Sequence, residues 1–97
     1  MATFVSLVNW TEQGIANFRD TPKRADAFTE LIGKYGGTVN SIWWTLGPYD
    51  IVAVVEVPDD ETMTAAALEL GSLGNVRTTT LRAFGRTEIE TIIKKTG

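Results

Sequence analysis

From Thr3 to Asn9 the hydrophobic and polar positions set Val5 and Leu7 against Phe4, Ser6 and Val8, a period of two that suggests a β-strand. Thr11 then offers a side-chain oxygen to the first turn of a helix, and Glu12 suits the positive end of its dipole. Asp20-Thr21-Pro22 repeats the start signal, since proline is best tolerated in the first helical turn. The pattern predicts a short helix near 12–19 and a longer one near 22–35. The longer one carries an apolar stripe of Ala25, Phe28, Ile32 and Tyr35 and closes at Gly36-Gly37.

Two segments rich in β-branched and aromatic residues follow, Val39–Leu46 and Tyr49–Val57, joined at Gly47-Pro48. Pro58-Asp59-Asp60 stops the second strand and caps a helix with Met63, Ala66, Ala67, Leu70 and Leu73 on one face, which ends near Gly74. Val76–Phe84 reads as a fourth strand. Thr87-Glu88-Ile89-Glu90 has the form of a capping box ahead of Ile92, Ile93 and the basic pair Lys94-Lys95. A helix of about ten residues is marginal alone and must dock on something. The order is βαββαβ plus a terminal helix. It predicts one α+β domain over residues 1–97, a ferredoxin-like sandwich with a four-stranded antiparallel sheet and helices on one face.

The turn assigns the sheet faces. With Gly47-Pro48 as a two-residue hairpin loop, Thr45 faces Asp50, Trp44 faces Ile51, Trp43 faces Val52 and Ser41 faces Val54. Ile42, Trp44, Leu46, Ile51, Ala53 and Val55 then form the helix side, and Trp44 belongs to the core. Val39, Ser41, Trp43, Thr45, Asp50, Val52, Val54 and Glu56 form the open side. On the outer strands Val5, Leu7, Leu81 and Ala83 are assigned to the helix side. Phe4, Ser6, Val8, Trp10, Thr78, Thr80 and Arg82 are left on the open side. A face mixing Trp and Val with charges is neither a solvated surface nor a pure core, and it is expected to pack against the same face of another copy.

Composition narrows the chemistry. In 97 residues, 43% are hydrophobic and 22% charged, ordinary globular usage for one domain, and a chain this short leaves enough surface uncovered to favour self-association. The net charge of −3, without a basic run, argues against nucleic-acid and anionic-membrane partners. The absence of both Cys and His removes the usual nucleophile, the usual neutral-pH base and the commonest metal ligands. No metal and no cofactor are expected. No apolar run approaches membrane-spanning length, and a cytoplasmic location is the expectation.

Gly47-Pro48-Tyr49-Asp50 and the strand and caps after it, Val52-Ala53-Val54-Val55-Glu56-Val57-Pro58-Asp59-Asp60, resemble the GYD domain family. The likeness runs through Thr11-Glu12-Gln13-Gly14, Lys23-Arg24-Ala25 and Asn75-Val76-Arg77 to Leu81-Arg82-Ala83-Phe84. It implies a small ferredoxin-like domain of the type that associates as dimeric α/β barrels. It carries no agreed catalytic residues, since the family is largely uncharacterised.

Asp50 is the first candidate for chemistry, because burial between subunits beside Thr45 and Trp43 would fit it to act as a general base. The alternative is an aspartate that hydrogen-bonds turn amides. Tyr49 is either a hydrogen-bond donor to a ligand or a packing residue; Trp43 either stacks on a planar ligand or anchors an interface. Trp10 either lines a pocket mouth or staples the first helix. Arg82 either neutralises an anion or pairs with Glu56 or Asp50. Asp59-Asp60-Glu61 and the glycines near 33–37 and 71–74 read as helix caps.

Two functions compete. One is a non-enzymatic small-molecule-binding or assembly module, a homo-oligomer with a pocket between paired sheet faces lined by Trp43, Thr45, Tyr49, Asp50, Arg82 and Trp10. The other is a cofactor-independent enzyme of monooxygenase or isomerase type, with Asp50 as base and Tyr49 or Arg82 steadying an oxyanion. The environment of Asp50 separates them.

Overall fold

The computed structural model describes residues 1–97. Strand β1 (Ala2–Trp10) leads into the short helix α1 (Glu12–Ala16), a 3-10 turn at Phe18–Asp20 and helix α2 (Thr21–Lys34). Strands β2 (Thr38–Trp44) and β3 (Ile51–Val57) precede α3 (Asp60–Ser72), β4 (Val76–Ala83) and α4 (Arg86–Lys94). The strands form one antiparallel sheet in the order β2-β3-β1-β4, so β1 and β3 are central. This is the expected ferredoxin-like arrangement.

Local chemistry explains the boundaries. The Thr11 hydroxyl accepts the Gly14 amide at 3.1 Å, and Asp59 accepts the Thr62 amide at 2.8 Å and its hydroxyl at 2.7 Å. Pro22 sits in the first turn of α2, and Gly36 ends that segment with φ of 77°. The cap of α4 lies two residues earlier than its sequence pattern suggests. Glu88 rather than Glu90 reaches back, accepting the Gly85 amide at 3.1 Å.

The core forms where α2 and α3 cover one side of the sheet. Phe4, Val55, Val57, Ile32, Met63 and Ala66 are buried together, with Phe28, Tyr35 and Val39 packed against them. Phe4 lies opposite Val55 and Arg82, Ser6 opposite Ala53 and Thr80, and Val8 opposite Ile51 and Thr78. The faces of β1 and β4 are therefore the reverse of the sequence assignment, and β1 is a central strand rather than an outer one. Phe4, Ser6, Val8, Trp10, Thr78, Thr80 and Arg82 belong to the helix side, and Val5, Leu7, Leu81 and Ala83 to the open side.

The reason is a lack of contrast. Both faces of β1 carry large apolar groups, so alternation alone cannot say which is inside; pairing with β3 decides it.

The register of β2 against β3 is the expected one at Trp44–Ile51, Trp43–Val52 and Ser41–Val54. Two details differ. A bulge between Val39 and Ser41 pairs Val39 with Val55, turning it to the helix side. The connection is also no two-residue hairpin. Both strands stop short of it, and residues 45–50 form a wider loop with Gly47 at φ of 124°. Leu46, expected in the core, is fully exposed in that loop. Trp44 lies on the expected side but is 47% exposed on the edge strand β2, with its indole N–H donating to the Thr21 hydroxyl at the start of α2 at 2.9 Å.

Helix α4 is joined to the body mainly through its first turn. It has no extensive packing with any other element, and its Ile89 and Ile93 are exposed. The radius of gyration is 14.5 Å, against about 12.5 Å for a compact chain of this length.

Candidate functional site

The sequence motifs meet around the end of β1. Beyond Val8 the strand has lost its neighbour on the β3 side, and the 45–50 loop fills the gap. The Asp50 amide donates to the Val8 carbonyl at 2.8 Å, and its Oδ2 accepts the Trp10 amide at 2.9 Å. Asn9 donates from its side-chain nitrogen to the Pro48 carbonyl at 2.8 Å. Within the loop, the Thr45 hydroxyl donates to the Tyr49 carbonyl at 2.6 Å, and its amide to the Asp50 carbonyl at 2.9 Å. Asp50 thus continues the β3 ladder with its side chain, where the backbone has turned away.

On the other side of Trp10 a second clasp holds α1 against the start of β4. The Thr11 amide donates to the Asn75 carbonyl at 3.1 Å, and its hydroxyl to the Gly74 carbonyl at 2.6 Å. The Gln13 amide nitrogen donates to Asn75 Oδ1 at 2.9 Å. Gly14 lies so close that a Cβ there would stand 2.0 Å from the Asn75 carbonyl oxygen. Arg24, from the first half of α2, donates to the Gly14 carbonyl at 3.1 Å. Thr11-Glu12-Gln13-Gly14, Arg24 and Asn75 are far apart in sequence and adjacent in space.

The six residues expected to share a site fall in three places. Thr45, Tyr49, Asp50 and Trp10 gather at the end of β1, with Trp10 turned to the helix side opposite Val76. Trp43 projects from the open face, 65% exposed, opposite Val52. Arg82 is remote from both. It pairs with Phe4, six residues from Trp10 along β1, a separation of about 20 Å.

There Arg82 lies against the rings of Phe84 (4.5 Å) and Phe4 (5.6 Å) and donates to the Thr3 and Ala83 carbonyls. Its acidic neighbours are Asp60 at 3.8 Å and Glu88 at 3.7 Å, in place of Glu56 or Asp50. It ties the first turns of α3 and α4 to the sheet.

A cavity of about 360 Å³ lies on the helix side, between the sheet and the helices α2 and α3. Val8, Ile51 and Ala53 form part of its floor, and Phe28, Leu31 and Leu70 part of its walls. Trp10 and Arg24 also line it, as do Lys34 and Glu69. Lys34 donates to both Glu69 oxygens at 2.9 and 3.2 Å, and the Tyr35 hydroxyl donates to Glu69 at 2.8 Å. The Lys34 bond, with help from Tyr35, holds the Glu69 carboxyl below the usual range; the same bonds raise Lys34 and Tyr35 above theirs.

The sequence reading missed this triad and Arg24. Lys34 and Glu69 come close only because α2 and α3 lie side by side. Arg24 did leave a signal: Lys23-Arg24 places two cations at the positive end of a helix dipole, where acidic residues are preferred.

Fold and site define a small α+β domain with one helix-covered face and one open face. The chain belongs to the GYD domain family, whose sequence pattern matches residues 4–93. It is 39% identical over 85 residues to the glutamine synthetase and cystathionine beta-lyase binding protein of Thermus thermophilus, covering 87% of this chain and 90% of that one. It also resembles the crystal structure of TTHA0845 from Thermus thermophilus, with a TM-score of 0.57 and 30% identity over 88% of this chain and 95% of that chain. No helix here is long and apolar enough to cross a membrane.

Proposed function

We propose that this chain is a non-catalytic association module, which pairs with a second copy through the open sheet face and in that form binds other proteins. The observation that carries the reading is the composition of that face. Val5 and Leu7 from β1, Trp43 from β2, Val52 and Val54 from β3 and Leu81 from β4 form one apolar surface across all four strands. Cross-strand neighbours make it continuous: Ser41, Val54, Val5 and Leu81 form one row, and Trp43, Val52, Leu7 and Thr79 the next. An apolar surface of this kind on a small domain is an interface signature, and an exposed tryptophan is a typical anchor.

A second copy fits for two reasons. Face-to-face packing of two such sheets buries the apolar rows of both without leaving either wet. The amphipathic α4, with Ile89 and Ile93 unburied on its own chain, also gains a surface to dock on. The similarity to a protein named for binding two enzymes supports a role in protein association.

Asp50 favours this reading over catalysis, since its carboxylate already serves the Trp10 amide and does not line the cavity. The test is native mass spectrometry and light scattering on the wild type and on Val54→Asp. The wild type is expected as a dimer or larger at micromolar concentration, and the variant as a folded monomer by circular dichroism. A monomeric wild type would overturn the proposal, as would a Val54→Asp variant with unchanged assembly.

A further inference from the structure

We infer that the cavity between the sheet and helices α2 and α3 is a binding site for a small molecule with an apolar body and one carboxylate, held by Arg24 and Trp10. It lies on the opposite side of the sheet from the association surface and is independent of it.

Size and lining set the body of the ligand. About 360 Å³ falls within the ordinary range for small-molecule sites, and 12 of its 18 lining residues are hydrophobic. Alanines at 25, 27 and 53 contribute to the wall where larger side chains would fill the space. The two helices touch little across it, so the sheet rather than a helix–helix seam supports them.

Two lining residues set the head group. Arg24 is a half-buried cation whose recorded bond is to the Gly14 carbonyl; none of the chain's ion pairs includes it. A guanidinium has five donors, and its fork matches a carboxylate. Its place in the first half of α2 runs against the helix dipole, whose positive end adds to the attraction for an anion. Trp10 Nε1 is the one buried side-chain polar atom of the chain without a hydrogen-bond acceptor, and Trp10 is part of the cavity lining. Leaving such a donor unpaired is costly, and a ligand oxygen would relieve it. The remaining charges have partners or face water. Lys34 and Glu69 neutralise each other, and Glu30 is exposed. The selected chemistry is therefore an anion on an apolar body.

Octanoate, 2-nonanone and octylammonium serve as probes, titrated into the ¹⁵N-labelled protein. The three indole N–H signals are assigned with Trp10→Phe and Trp43→Phe. Octanoate is expected to shift the Trp10 indole saturably and to bind more tightly than the ketone, with octylammonium weakest. Arg24→Gln, which keeps a donor for the Gly14 carbonyl, should weaken octanoate by roughly tenfold or more. Ala25→Leu should fill the cavity and abolish the shift, with circular dichroism and thermal melting showing that the fold persists.

Equal affinity for octylammonium would overturn the inference. So would an octanoate response confined to the Trp43 indole, which marks adsorption to the open face. Absence of any saturable Trp10 shift at millimolar octanoate in the folded wild type would also sink it.

Discussion

The carboxylate of Asp50 accepts the backbone amide of Trp10 at 2.9 Å, closing the gap beside the end of β1, where the β3 pairing stops at Val8 and Ile51. The aspartate of the Gly-Pro-Tyr-Asp loop thus has a structural task that the loop's own geometry does not reveal. Asp50→Ala should destabilise the fold by about 1–3 kcal/mol, the cost of a half-buried amide without its acceptor. Asp50→Asn retains an oxygen and should lose less. Urea unfolding of the two variants measures the difference, and equal losses would rule out this account.

Two glycines separate close approach from open space. Gly14→Ala forces a Cβ into the Asn75 carbonyl, and neither backbone can yield without breaking the Thr11–Asn75 bond. A loss of about 2–3 kcal/mol is expected. Gly33→Ala meets nothing within 4 Å and lies inside α2, so it should gain about 0.5–1 kcal/mol. Thermal melting of both variants checks the opposite signs.

The Lys34–Tyr35–Glu69 triad predicts a pH window. Glu69 is held below its ordinary 4.5, so its contribution is present above that value and fades as pH falls through the lowered one. Tyr35 and Lys34 are raised above 10.0 and 10.5, so theirs is present below those values and fades as pH rises through the raised ones. Glu69→Gln should flatten both limbs of a plot of urea midpoint against pH. The Lys34–Glu69 ion pair is solvent-exposed, so the effect should be small and shrink further in high salt.

Adjacent residues on β1 should respond in opposite ways. Phe4→Ala removes a ring from the centre of the core and should cost about 3–5 kcal/mol of folding stability. Val5→Thr alters the open face opposite Val54 and Leu81, and should weaken self-association with little change in the unfolding of the separated chain. Equilibrium sedimentation and denaturant unfolding distinguish the two. The reversed pattern would put Val5 in the core and Phe4 on the open face, and would overturn this face assignment.

Wherever a local rule sufficed, the amino-acid sequence by itself determined the outcome. Element order, the caps at Thr11 and Asp59, the break at Gly36-Gly37 and the β2–β3 register all depend on residues within a few positions of one another or across one loop. The absence of His and Cys likewise bounds the chemistry, since it removes the usual neutral-pH base and the thiol nucleophile.

Tertiary structure decided the faces of β1 and β4, because both sides of β1 are apolar and only pairing with β3 breaks the tie. It also decided that Leu46 is exposed, that a bulge turns Val39 inward, and that Arg82 braces two helices far from Asp50. The grouping of Trp10, Arg24 and Asn75 belongs to the same class. Their neighbourhood arises from strands and helices that meet across the sheet, and no spacing along the chain encodes it.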